Sequence, residues 1–301
     1  MRVGTSLTSN HVAADAATGA AQIIERARVA HDVGLDSLSL GDHHVVGSPY
    51  YQNTPMLGRL MAEWTSARPI GCLFLMPLWN PVLVAEHIGT LASLTTGPFV
   101  VQTGIGHGRR DFAAMGADLR RRGRDTDEAI RVIKALLGGA TVTSERFGLE
   151  EASFALVPER PVHWWVGAGS AGPLERAARE GDAWYAGPGW SVEQMTELIE
   201  TFRRACARVG NDTAQVIMRA DVIVGADDAA ASARADELIA AGYRGMSREG
   251  VIAGGVDRVS EIFSAYGGVG VDEIVVRCMN VTQTEAVETL TLCGEIRRHL
   301  A

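Results

Sequence analysis

The chain of 301 residues is 47% hydrophobic and 21% charged, which allows a large core and excludes general disorder. Its formal net charge is −8, and Arg120, Arg121, Arg122 and Arg124 sit among Asp118, Asp125, Asp127 and Glu128, which argues against a nucleic-acid surface. Four cysteines form no CxxC pair, and no apolar run approaches the roughly 20 residues of a membrane span, so a cytoplasmic protein without a membrane partner is expected.

Strand-like and helix-like segments alternate. Arg2 to Leu7 reads as the first strand, followed by a helix near Gly19 to Val33 that Gly34 terminates. Ser37 to Gly41 is the second strand, with a helix near Pro55 to Ser66. Pro69 to Met76 is the third, and Pro81 opens the next helix where its missing N–H is harmless. Phe99 to Thr103 is the fourth strand, followed by a short helix at Asp111 to Met115 and a longer one at Asp125 to Leu137. Thr141 to Leu156 reads as a hairpin around Gly148. Val162 to Val166, Ala183 to Ala186, Gln215 to Val224 and Asp272 to Cys278 complete eight strands, with helices between them and a last helix at Thr284 to Leu300. Ser191 with Gln194 forms a capping box at the start of the helix ending near Val209. Eight βα units predict a single (β/α)8 TIM-barrel domain over residues 1–301, with the hairpin as an insertion at about 141–156. An open doubly wound sheet is the competing architecture.

In parallel α/β folds, chemistry sits at the carboxyl ends of strands. The second strand runs into Asp42, His43 and His44. Here a carboxylate can fix an imidazole's tautomer, and the imidazole can move a proton. The fourth strand runs into GIGHG, where Gly104 and Gly106 let backbone approach a flat ligand beside His107. The fifth ends in GAGS, Gly167, Ala168, Gly169 and Ser170, which opens a helix and suits a phosphate. The third strand is apolar to its end and offers a wall behind a planar ring. Most of the tryptophans read as packing, with Trp184 a candidate for the substrate pocket alongside His44 and Arg109. No HExxH or HxH pattern announces a metal. A metal-dependent hydrolase barrel built on Asp42, His43, His44 and His107 is nevertheless carried as a rival.

The segments Asn80 to Ala117, Arg122 to Leu137, Arg160 to Trp184 and Val251 to Arg277 together resemble the bacterial luciferase-like superfamily of flavin and deazaflavin oxidoreductases. That resemblance implies a ring cofactor, coenzyme F420 or FMN, across the C-terminal mouth of the barrel. It implies a non-prolyl cis peptide behind the ring near Cys72, Leu73 and Phe74. His43 becomes the catalytic residue, Asp42 a cofactor contact and GAGS the phosphate loop. It also implies a homodimer, a small-molecule substrate and, with FMN, a separate flavin reductase. The Asp42-His43 pair tilts the choice towards F420. Thr95-Thr96-Gly97-Pro98 departs from the Ser-Gly-Gly-Arg of many members and leaves a non-catalytic flavin-binding homologue as a second rival. Sugar-phosphate dehydrogenases of the deazaflavin group carry a Glu after the GxGxG loop. This chain has Arg109, which argues against glucose 6-phosphate chemistry.

Overall fold

The computed structural model describes residues 1–279 and 282–301. Eight parallel strands close into a barrel: β1 (Arg2–Leu7), β2 (Leu38–Leu40), β3 (Ile70–Leu75), β4 (Phe99–Gly104), β5 (Val162–Ala168), β6 (Ala183–Ala186), β7 (Gln215–Val224) and β8 (Glu273–Cys278). Closure is made by β8 against β1, with Arg2 opposite Glu273 and Thr5 opposite Val276. The open-sheet alternative is thereby excluded.

Ten helices clothe the described barrel: α1 (Ala16–Asp32), α2 (Asn53–Leu60), α3 (Pro81–Leu94), α4 (Arg109–Ala114), α5 (Arg122–Leu137), α6 (Ala171–Glu180), α7 (Val192–Val209), α8 (Asp228–Ala240), α9 (Val256–Gly268) and α10 (Gln283–His299). Their starts follow side-chain chemistry. Asp15 accepts from the Thr18 amide at α1, Asn80 from Val82 and Leu83 at α3, and the predicted Ser191–Gln194 capping box is present at α7. Gly34 takes φ +85° after α1, a conformation a side chain disfavours.

The expected insertion is an antiparallel hairpin, Val142–Ser144 with Leu149–Ala152, turning at Gly148 with φ +62°. One element was not anticipated. Ile252–Gly254 adds a short parallel strand to the end of β7. Three residues between turns carry no alternation to reveal it.

The strands sort their side chains by period two. Outward residues such as Phe74, Phe99, Trp184 and Val276 meet the helices in the main core. Burying each large apolar side chain there contributes roughly 2–3 kcal/mol. Inward residues Val100, Trp165, Ala183, Tyr185, Ile217 and Val275 plug the barrel interior. Small residues make room for them. A Cβ on Gly71 would stand 1.8 Å from the Val100 carbonyl oxygen. The plug gives the C-terminal mouth a floor. No helix of the described residues is long and apolar enough to cross a membrane.

Candidate active site

At the carboxyl ends of the strands lies a cavity of about 210 Å³. Asp42 and His43 enter it from the turn after β2, Leu73 and Leu75 from β3, and Gln102 from β4. Gly106, His107 and Asp111 come from the loop and helix after β4, Tyr185 from β6, Arg219 from β7, Arg277 from β8 and Arg244 from the segment after α8. The wall is apolar beside β3 and cationic beside β7 and β8.

His43 is partly buried and packs edge-on against Tyr50, with ring centroids 5.7 Å apart. Burial first, then the charges of Arg244 and Arg277, push its pKa down to about 4. The imidazole is therefore neutral at neutral pH, able to give one hydrogen bond and accept another.

Asp42 does not orient His43, as the neighbouring positions had suggested. Its Oδ2 accepts from the Leu75 amide at 2.7 Å and the Trp79 indole at 2.8 Å, and its Oδ1 faces His44 Nε2 at 3.2 Å. That interaction with Asp42 raises the pKa of His44. His44 is buried and stacks edge-on with Trp79. It lies outside the cavity lining and braces the turn that presents His43.

The β3 expectation is corrected in two respects. Every peptide bond among the described residues is trans, and β3 pairs with β4 one-to-one from Ile70 to Leu75. Of Cys72, Leu73 and Phe74, only Leu73 turns its side chain to the mouth. Cys72 and Phe74 point to the helices, because a strand sends neighbouring side chains to opposite faces. The same rule corrects Trp184. It is fully buried against Phe202 and donates to the Ala168 carbonyl, while its neighbour Tyr185 faces the cavity. Arg109 lies exposed on α4, outside the lining, and so does Arg110.

Glycine behaves at the β4 end as expected. Gly106 holds φ +65°, and a Cβ on Gly104 would come within 2.9 Å of a Leu75 methyl. In the GAGS turn, Gly167 is committed to the barrel, its amide donating to Thr103 Oγ1 at 3.2 Å. Ala168 gives its carbonyl to Trp184. Gly169 and Ser170 are exposed at the start of α6, where no side chain caps the first-turn amides. Of the first-turn positions, Ala171 and Gly172 carry an N–H that an anion can meet, and Pro173 carries none.

Sequence reasoning missed Gln102, Arg219, Asp221, Arg244 and Arg277. A signal existed in β7 and β8: Arg219, Asp221 and Arg277 interrupt otherwise apolar strands on the inward phase. A charge there must face the lumen or be lost among the helices.

Comparison with known proteins agrees with this geometry. The family model described as luciferase-like monooxygenase matches residues 1–271. The F420-dependent glucose-6-phosphate dehydrogenase of Kineococcus radiotolerans is 29% identical over 200 residues, covering 62% of this chain and 58% of the relative. The chain thus spans about three fifths of the length of the curated relatives it matches. Two solved structures share the fold at low identity. An F420-dependent secondary alcohol dehydrogenase in complex with an F420-acetone adduct superposes with TM-score 0.80 at 16% identity, over 96% of this chain and 97% of its own. The oxygenating constituent of 3,6-diketocamphane monooxygenase from Pseudomonas putida, in complex with FMN, gives 0.76 at 15% identity, over 98% and 97%. With a match across nine-tenths of its length and a barrel closed in the same manner, the chain belongs to the luciferase-like monooxygenase family.

Proposed function

We propose that this protein is an oxidoreductase that takes coenzyme F420, or else FMN, across the mouth of the barrel and acts on a small organic substrate. The observation that carries the reading is a neutral His43 in a cavity with an apolar wall, Leu73 and Leu75, and an edge at Gly106, with Gly104 ending the strand that leads to it. The residues fit a flat ring with an anionic tail. Added side chains at either glycine would meet Leu75 or Phe112, and the uncapped start of α6 offers amides to a phosphate. The dependence of the curated relatives on F420 supports that cofactor over FMN.

When bound, such a ring supplies hydride transfer or, for FMN, oxygen activation. The chain supplies position and proton management. His43 exchanges a proton with the substrate oxygen, a task suited to an imidazole that is unprotonated at neutral pH. Leu73 and Leu75 keep water from one face of the cavity. Asp42 and His44 hold the turn that carries His43.

The hydrolase reading lacks a ligand set, since no group of three or more His, Cys, Asp or Glu among the described residues could hold a metal ion. A cytoplasmic location, a homodimer and, for FMN, an external reductase belong to the same proposal; light scattering tests the dimer.

The test is a fluorescence titration of the purified protein with F420 and with FMN. Micromolar binding of F420 and much weaker binding of FMN is expected. Binding of neither ring rejects the reading. His43→Ala should keep cofactor affinity within a few-fold and lower turnover by about a hundredfold or more.

A further inference from the structure

Three guanidinium groups share one side of the mouth, and one carboxylate faces them. Asp221 is fully buried. Its Oδ1 lies 3.5 Å from Arg219 Nε, its Oδ2 lies 3.8 Å from Arg244 Nε, and the Tyr243 hydroxyl donates to it at 3.5 Å. Arg277 is only 6% exposed and makes no side-chain hydrogen bond or close ion pair among the described residues; Asp221 and Tyr243 favour its charge from a distance, against burial and the like charges of Arg244 and Arg219. Two further acids line the same cavity, Asp42 and Asp111, and neither forms a close ion pair with Arg277 among the described residues. Asp42 is committed to Leu75, Trp79 and His44. A buried guanidinium left in that state is costly unless an anion joins it.

Arg277 and Arg244 also line a second cavity, about 270 Å³, which adjoins the first. Its other walls include Asn10, His11 and Arg26, and no acidic side chain among the described residues lines it. Arg26 is buried and donates through Nε to Gln283. The pair Arg244 and Arg277 is therefore common to a chamber that holds His43 and to a side chamber that is wholly cationic or neutral.

Resting on the reading of the mouth as a redox site, we infer that the substrate carries an oxyanion, a carboxylate or a phosphate group, held by Arg277 and Arg244 where the two chambers meet. The uncharged, reacting part of the substrate then lies beside His43, and any bulk beyond the anion extends towards Asn10 and Arg26. Guanidinium groups match both anions through paired N–H donors, which is why two of them fix orientation as well as charge. This site is separate from the uncapped start of α6, which belongs to the cofactor.

The test uses the protein without any ring cofactor. Inorganic phosphate and succinate are titrated by calorimetry into the wild type, Arg277→Met, Arg277→Lys and Arg244→Met. Tighter binding of phosphate identifies a phosphoester class, and tighter binding of succinate a carboxylic acid class. In either case Arg277→Met and Arg244→Met should weaken the preferred anion at least tenfold, and Arg277→Lys should recover part of the loss. An anion bound only at the start of α6 would keep its affinity in all variants, and that result overturns the inference. If Arg277→Met does not fold, the partly exposed Arg244 decides: unchanged affinity in Arg244→Met overturns the proposal equally. Titration with F420 and FMN is independent. Ring binding without an arginine-dependent anion sinks this inference alone, and an arginine-dependent anion without ring binding sinks the redox reading.

Discussion

Nε2 of His44 lies 3.2 Å from Oδ1 of Asp42, and the other oxygen of that carboxylate holds the end of β3. A single buried acid thus ties two neighbouring strand ends together and places the turn bearing His43. Asp42→Ala leaves the Leu75 amide and the Trp79 indole without their acceptor. Two orphaned buried donors cost on the order of 2–4 kcal/mol. Urea unfolding should show that loss, together with weaker catalysis. An unchanged unfolding midpoint would remove Asp42 from this bracing role.

The same pair makes a pH prediction. The folded pKa of His44 is raised by Asp42, above that of the unfolded chain. Its stabilisation is complete below about pH 6.5 and is lost as pH rises through the folded value. The stability gap between wild type and His44→Gln should therefore shrink as pH rises above about 6.5. A gap that widens with pH would contradict a His44 pKa raised by Asp42.

His43 has the opposite sign. It is held to about 4 by burial, Arg244 and Arg277, while Asp42 and Asp111 act against the shift. As pH falls from about 6.5 to about 4, the unfolded chain takes up a proton that folded His43 refuses, so stability declines in that window. Proton NMR should find no titration of His43 above about pH 5 in the free protein. Saturation with phosphate or succinate should move it upward, because an anion on Arg277 and Arg244 cancels much of their field. A value near 6.5 in the free protein would show that the arginines do not face it.

How much of this was legible depended on period. The eight βα units and the hairpin were readable because helices and strands bury their apolar residues at different spacings. The polar turn at Asp42–His44 stood out for the same reason. Phase within an apolar strand did not. IGCLFL offers no polar alternation, so nothing marked Leu73 as inward and Cys72 and Phe74 as outward. Trp184 and Tyr185 posed the same ambiguity in a strand buried on both faces. The arginine cluster was hidden differently. Arg219, Arg244 and Arg277 are far apart in sequence, and only barrel closure brings β7 and β8 together with the segment after α8.

The two aromatic neighbours on β6 should separate cleanly. Trp184→Phe removes packing against Phe202 and the hydrogen bond to Ala168, and should cost about 1–3 kcal/mol with KM within twofold of the wild type. Tyr185→Phe removes a hydroxyl from the cavity and should change KM or kcat with little loss of stability. Denaturation and steady-state kinetics on both variants check the assignment. A large KM change in Trp184→Phe alone would reverse it.

Glu273 offers a test at the closure of the barrel. It is fully buried at the start of β8, opposite Arg2, and accepts from the Ser37 hydroxyl. Burial raises its pKa to about 7. Arg2, 3.2 Å away but 40% exposed, and Ser37 only partly offset this, while Asp36 and Asp272 add to it. The folded value lies above the unfolded one, so the native state keeps a proton that the unfolded chain releases. Stability from this group is present below about pH 4.5 and is lost as pH rises through about 7. Glu273→Gln cannot ionise and can still accept from Ser37. Relative to wild type it should gain about 1–3 kcal/mol between pH 5 and pH 8. Urea unfolding at several pH values gives the comparison. Parallel curves for the two proteins would mean that Arg2 keeps the carboxylate charged throughout, with the seam between β8 and β1 held by an ion pair instead of a neutral acid.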